Sequence, residues 1–303
     1  MKGIFKFKRK LLAVIKEYIP GEEADVLRGI LLGDKSLIEK NLNDKFIKTG
    51  TIHILVVSGL NVGLIASIFI LIFNVLRLPR YITYPFASLL VAVYAVLTGL
   101  NPPVARAAIV TISVLIGILL SRKVDILNCL GLSGIIILLK NPQALFGPSF
   151  QLSFCTILSI IILSPKIERL FGSNKTNRFL FYIKQSVAVS LAAWLGIIPI
   201  IAYNFNIISP VCIFANIPVV FIVFVITAAG MAFLAAGLFM PFIAGILGNS
   251  IEFLTYILIK TVVLFSKIPF GFFWVHRWSA LEIVSFYVVL TIFGISLYKK
   301  EFR

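Results

Sequence analysis

Apolar runs recur along this chain at intervals that suit helices crossing a lipid bilayer. Runs near 53–76, 83–98, 103–121, 124–140, 149–164, 180–203, 209–239, 242–267 and 279–298 predict about nine transmembrane helices, within a range of about eight to ten. The seventh run is too long for one simple crossing and holds Asn216 and Pro218 near its start. That predicts a broken or re-entrant helix near residues 209–220, because proline removes a backbone donor that lipid cannot replace.

Residues 1–50 form the one substantial polar stretch. In MKGIFKFKRKLLAVIKEYIP, Leu11, Ile15 and Tyr18 fall at helical spacing among Lys2, Lys6, Lys8, Arg9, Lys10 and Lys16. The apolar segment LLAVI is too short for a signal peptide, so the pattern predicts an amphipathic helix at the membrane interface. Pro20 and Gly21 end it. Two short helices follow, one from about Glu22 to Leu32 stopped by Gly33, and one capped by Ser36 with Glu39 three residues on. The expected division is therefore an interfacial segment, 1–50, and a transmembrane domain, 51–303.

The first span, entered through TGTIHILVVSGLNVGLIAS, keeps polar residues within an apolar run. On one helix Gly59, Gly63 and Ser67 recur every fourth residue and form a stripe that lets another helix approach, with Pro218 a further packing position. Ser58 and Asn61 fall on another side and read as polar wall, since an amide at membrane depth needs a partner or water. His53 and Ser58 would stand about 140° apart on such a helix, which argues against a nucleophile and base pair.

Composition turns this pattern into a fold class. The chain is 60% hydrophobic with 27 phenylalanines and a mean hydropathy of +1.05. These values exclude an ordinary soluble domain and predict an all-α polytopic membrane protein. The formal charge of +16 has two readings: the cytoplasmic bias of basic loops, or a basic surface or lumen for a polyanion. Loops after odd-numbered spans hold Arg77, Arg80, Arg122, Lys123, Lys166, Arg169, Lys175, Arg178 and Lys184, and Lys299, Lys300 and Arg303 follow the last span. The other side holds Arg106, Lys140, Lys267 and Arg277. This bias places the odd-numbered loops in the cytoplasm and residues 1–50 outside, although those residues carry eleven Lys and Arg against seven acids.

Several polar residues within the apolar runs could carry chemistry. Arg106 follows Pro102 and Pro103 into a helix start, where the helix dipole disfavours a cation. It reads either as an arginine snorkelling to headgroups or as a lumen cation for phosphate. Gln151, Ser153 and Asn216 read as helix glue or as path lining. Glu252 and Lys260, two turns apart, read as an ion-pair network or as a transport site. The histidines are His53 and His276, and Cys129, Cys155 and Cys212 have no CxxC spacing. No metal-ligand pattern and no GxxxxGK[ST] loop occurs, so neither an enzyme nor a cofactor is expected.

Four ordered stretches carry a resemblance: GDKSLIEKNLNDKFIKTGTIHILVVSGLNVGLI, YAVLTGLNPPVARAAIV, FQLSF and FANIPVV. Together they resemble the membrane competence domain of the ComEC family of DNA-uptake channel proteins, from about Gly33 to the C-terminus. The resemblance implies a channel, in the bacterial cytoplasmic membrane, that passes single-stranded DNA during natural transformation. It implies partners as well: a separate extracytoplasmic DNA receptor, a nuclease and a cytoplasmic ATPase or motor. His53, Ser58, Gly59 and Gly63 match the family's HLLxISGLHVG pattern, Arg106 its RA motif, Gln151 and Ser153 its FQLSF, and Asn216 and Pro218 its later N-x-P. Asn61 stands where the family usually has histidine, so a titrating role there would be absent. The family's OB-like and metallo-β-lactamase-like domains are not expected in this sequence. A small-molecule or anion transporter, or a non-conducting remnant, are the competing readings.

Overall fold

A computed structural model describes residues 2–171 and 178–299. Among them the chain runs as α1 (Lys2–Tyr18), α2 (Gly21–Leu32), α3 (Lys40–Lys48), α4 (Gly59–Val75), α5 (Arg80–Leu97), α6 (Pro102–Leu119), α7 (Ile126–Lys140), α8 (Pro148–Leu170), α9 (Arg178–Phe205), α10 (Cys212–Phe239), α11 (Pro241–Ser266) and α12 (Ala280–Lys299). Two short strands, β1 (Ile207–Ile208) and β2 (Phe273–Trp274), pair antiparallel with Ile207 opposite Trp274. Each of the nine apolar runs becomes a helix. Six (α5, α6 and α8 to α11) are long and apolar enough to cross a bilayer, and α4, α7 and α12 contain shorter apolar stretches. The protein is thus an all-α polytopic membrane protein. Outward side chains such as Leu139, Phe239 and Phe242, each about four-fifths exposed to the surroundings, suit a surface covered by acyl chains. Lys175, Lys300 and Arg303, counted in the charge bias, lie outside the described residues.

The chain forms two compact units. The first joins Met1–Asp44, Ile52–Leu145 and Val219–Thr261; the second joins Lys45–Thr51, Phe146–Pro218 and Val262–Arg303. These units cut across the division expected at residue 50. The boundary inside α10 falls between Pro218 and Val219.

In the first unit, Leu11, Val14 and Ile15 form the buried face of α1, with Ile19 buried just beyond its end, the i, i+3, i+4 spacing of an amphipathic helix. That face meets protein: Gly237 of α10 packs on Val14, and Gly248 of α11 would place a Cβ 3.3 Å from the Tyr18 Cβ. Gly230, seven residues before Gly237, abuts Leu31 of α2. Small residues on one face of α10 thus admit the two N-terminal helices. The α2 helix is not an interfacial cover, since Val26, Leu27, Ile30 and Leu31 are fully buried. Val62, Ile65 and Ala66 of α4 join Val91 and Ala95 of α5 and Val104, Ala107 and Ala108 of α6 in one apolar core.

The second unit is built on the α8 and α9 pair. Leu163 and Ile167 pack on Ala188 and Ala192, with Leu290 of α12 against them. Gly196 sits directly on Ser159, and its carbonyl accepts a bond from the Tyr287 hydroxyl at 3.0 Å. Gly50, with φ +69°, lies where a Cβ would be 2.7 Å from the Cys212 Cβ.

Several expectations change. The first span starts at Gly59 with Ser58 as its N-cap, and His53 belongs to a separate 3-10 turn, Ile52–Leu55. The angle of a single helix therefore does not relate His53 to Ser58. Of the Gly59, Gly63, Ser67 stripe only the first turn is packed: a Cβ at Gly59 would lie 3.4 Å from the Ala107 Cβ of α6, whereas a Cβ at Gly63 would meet nothing within 4 Å, and Ser67 is exposed with its hydroxyl bonded to the Gly63 carbonyl. Residues 61, 62, 65 and 66 are buried instead, because α4 turns its bulkier face to α5 and α6. Ser36 does not cap a helix. Its amide and hydroxyl bind the Asp34 carboxylate at 3.2 and 2.7 Å, a local turn that leaves α3 to begin at Lys40. The break expected near 209–220 is corrected: α10 runs unbroken from Cys212 through Asn216 and Pro218, and the chain is interrupted before that range, where Asn206 has φ +56° and β1 follows.

Opposite outcomes are expected for two glycines. Gly196→Leu should abolish recovery of monodisperse protein in detergent, whereas Gly63→Leu should elute from size exclusion like wild type; a collapsed Gly63→Leu would show that its open face is packed.

Candidate functional site

The C-terminus of α2 lies inside the first unit, where its last carbonyls cannot reach water. Gly33 adopts φ +69° and ψ 19°, a left-handed cap suited to glycine. A Cβ there would also be 3.0 Å from the Thr98 carbonyl oxygen. The Gly33 amide donates to the Gly29 carbonyl at 3.1 Å, and the Asp34 amide wraps back to the Arg28 carbonyl at 3.2 Å. The next two carbonyls are met by side chains from other helices. Asn61 Nδ2 on α4 donates to the Ile30 carbonyl at 3.0 Å, and the Tyr94 hydroxyl on α5 donates to the Leu31 carbonyl at 2.9 Å.

Around this end the polar groups pair closely. Arg28 Nη2 donates to Asp34 Oδ2 at 3.0 Å, and Arg28 Nη1 lies 3.5 Å from Asp25 Oδ1. Burial works to raise the Asp34 carboxyl, but bonds from Ser36 and then the Arg28 charge outweigh it, so its pKa lies below the ordinary value. Asn61 is 1% exposed. Its Oδ1 lies 3.4 Å from the Ser58 hydroxyl and 3.4 Å from the fully buried Thr227 hydroxyl of α10. Thr227 also donates to the Val223 carbonyl at 2.8 Å. Asn61 therefore ties α4 to the end of α2, its Nδ2 spent on a backbone carbonyl, with the Thr227 hydroxyl of α10 a longer neighbour.

Arg106 stands beside this tie. It is 8% exposed on α6, so its side chain packs within protein. A Cβ at Gly59 would lie 3.6 Å from its Nη2 and 3.4 Å from the Ala107 Cβ. The guanidinium thus approaches the first turn of α4, where the N-cap Ser58 makes no side-chain bond to the helix amides. A cation beside the positive end of a helix is unfavourable alone. The two together can hold an oxyanion, the guanidinium by charge and the amides by direction.

The other expected residues are placed as follows. His53 is exposed on its 3-10 turn in the first unit. Glu252 is half-buried on α11 and Lys260 exposed; Lys260 lies over the Tyr256 ring, one turn away, at 5.0 Å. Gln151 and Ser153, half-buried in the first turns of α8, and Asn216 and Pro218 on α10 belong to the second unit. The Asn216 Oδ1 is buried and has no hydrogen-bond partner among the described residues.

Contacts inside the second unit bear on topology. Lys48 lies over the Phe272 ring at 5.3 Å, and Gly50 packs on Cys212. The apolar helices α4 to α9 separate residue 51 from residue 206, and α10 and α11 separate residue 211 from residue 267. Both intervals contain an even number of helices. If each crosses once, residues 45–51, 206–211 and 267–279 share one side, opposite the basic odd-numbered loops.

The sequence profile of the Competence protein family matches residues 30–300. The chain belongs to that family. It is 30% identical over 203 residues to the ComE operon protein 3 of Bacillus subtilis (strain 168), an alignment covering 67% of this chain and 25% of that protein. It is 32% identical over 169 residues to an uncharacterized protein of Aquifex aeolicus (strain VF5), covering 55% of this chain and 37% of the relative. The chain thus spans well under half the length of these relatives. No solved structure matches it.

In this Competence family member, sequence reasoning passed over Thr227 and saw in Tyr94 only a ring that could stack bases, not a hydroxyl donor. A hydroxyl in each of two apolar runs is a weak signal, and only the buried end of α2 gives Tyr94 its role. Tyr94→Phe removes that hydroxyl alone and should lower the unfolding free energy by about 1–3 kcal/mol, with Asn61→Ala costing at least as much. Thermal unfolding in detergent measures both, and an unchanged Tyr94→Phe would show that the Leu31 carbonyl needs no partner.

Proposed function

We propose that this chain forms a channel, or a channel subunit, passing single-stranded DNA across the bacterial cytoplasmic membrane during natural transformation. Membership of the Competence protein family and the likeness to ComE operon protein 3 support the process. The observation that carries the chemistry is Arg106, buried on α6 and directed at the first turn of α4. A single strand carries one charge per nucleotide, and a path through lipid needs a few cations that meet phosphate without trapping it. Arg106 with the α4 amides is such a contact.

The roles of the remaining residues follow from their surroundings. Ser58 and Asn61 hold the helices around Arg106 in place. Gln151, Ser153 and Asn216 are the second unit's candidates for polar groups along the path. The chain acts as a conduit without chemistry of its own. A separate extracytoplasmic DNA receptor presents the substrate, a nuclease removes the other strand, and a cytoplasmic ATPase or motor draws the strand in.

Arg106→Gln should reduce transformation at least tenfold at unchanged membrane abundance and unchanged size-exclusion profile. Arg106→Lys, which keeps the charge but loses the fork, should fall between. Wild-type transformation by well-expressed Arg106→Gln would remove the residue from the path.

A further inference from the structure

The segment joining α11 to α12 is aromatic, basic and held in a fixed shape. Residues 267–278 read KIPFGFFWVHRW. Strand β2 within it pairs with β1, and the pairing is extended at both ends. The Val275 amide donates to the Asn206 carbonyl at 3.0 Å and the Val211 amide to the Gly271 carbonyl at 3.1 Å. Phe270, at φ +59°, is 81% exposed, Trp274 66% and Phe273 46%. Phe273 and Trp274 are successive strand residues and point to opposite faces. A flat lipid surface would cover one of those faces and leave the other aromatic ring in water.

Cations are interleaved with these rings. Lys48 lies over Phe272 at 5.3 Å, and the Arg277 guanidinium stacks on Tyr203 at 4.3 Å. Lys267 and Arg277 are exposed beside them. Glu282, the acid at this end of α12, is committed elsewhere: it accepts from the Ser279 amide at 2.6 Å and Ser279 hydroxyl at 2.8 Å and pairs with His276 Nε2 at 2.9 Å. Phe270 lies 6.4 Å from Phe273 and Trp274 packs edge-on to Phe272 at 6.2 Å, and exposed rings spaced among cations are the elements of a platform for unstacked bases.

We propose that the paired ribbon of β1 and β2 binds single-stranded DNA, its bases stacking on Phe270 and Trp274 and its phosphates meeting Lys48, Lys267 and Arg277. This deepens the channel reading and rests on it for the identity of the strand. If the apolar helices each cross once, the ribbon shares one side of the membrane with residues 45–51. Binding is tolerant of sequence, because every base offers a stacking face, and weakens with salt.

The test uses the full chain in lipid nanodiscs with Trp194 and Trp278 replaced by Phe, which leaves Trp274 as the one tryptophan of three. Oligo(dT) of about 12 nucleotides should quench Trp274 fluorescence, with at least tenfold weaker effect from a blunt duplex. In the wild-type background, Phe270→Ala should weaken oligo(dT) binding about tenfold. Quenching by brominated lipid with no response to oligo(dT) would make the ribbon a membrane anchor and overturn the proposal, as would equal response to duplex. The two readings fail separately. If Arg106→Gln transforms like wild type while oligo(dT) still quenches Trp274, conduction past Arg106 falls and the platform stands; if Arg106→Gln loses transformation and Trp274 is silent, the platform falls alone.

Discussion

A helix that ends away from water must have its last carbonyls met by other groups, and α2 ends inside the first unit. Its own backbone can turn back far enough to satisfy Arg28 and Gly29 through Asp34 and Gly33, but the Ile30 and Leu31 carbonyls need donors from elsewhere. An unpaired carbonyl costs about 1–3 kcal/mol, a large share of the margin by which any fold is stable. Asn61 and Tyr94 supply those bonds, and in doing so they fix where α4 and α5 stand against α2. The position of Arg106 depends on the same arrangement, because Arg106 is packed against the first turn of α4, two residues before Asn61.

Close approach by small residues completes the first unit. Water drives no association between helices in lipid, so contact must come from packing and from hydrogen bonds. Gly230 against Leu31 and Gly237 against Val14 let α10 accept the two N-terminal helices at short range. The second unit uses the same device at Gly196 on Ser159, and Tyr287 ties α12 to the α9 backbone there. Polar side chains in both units are mostly bound to carbonyls, which is why their presence in apolar runs does not by itself mark a water-filled path.

The apolar runs specify nine helices because length and hydropathy are local properties, and α5 to α9 fall within several residues of where the pattern places them. The glycine stripe of α4 was legible as a pattern but not as a contact. Periodicity says that Gly59, Gly63 and Ser67 share a face, while the identity of the facing helix decides whether the face is used. Asn61 shows the same limit: the sequence marks a polar group needing a partner, and the partner is a carbonyl 31 residues away on a helix whose burial no local pattern reveals. Ser36 and Glu39 matched a cap motif, yet Asp34, two residues earlier, competes for the Ser36 amide and hydroxyl and wins by proximity.

The asparagine at position 61 then has a physical explanation. The site asks for a hydrogen-bond donor aimed at the Ile30 carbonyl, in a place 1% exposed. A carboxamide donates at every pH, whereas an imidazole donates from a given nitrogen only in one tautomer or when charged. An imidazolium there would also stand near the Arg106 guanidinium and the positive end of α4, adding repulsion to a region that already holds one cation. Asparagine keeps the bond without the second charge. Asparagine at this position can therefore preserve the helix geometry around Arg106.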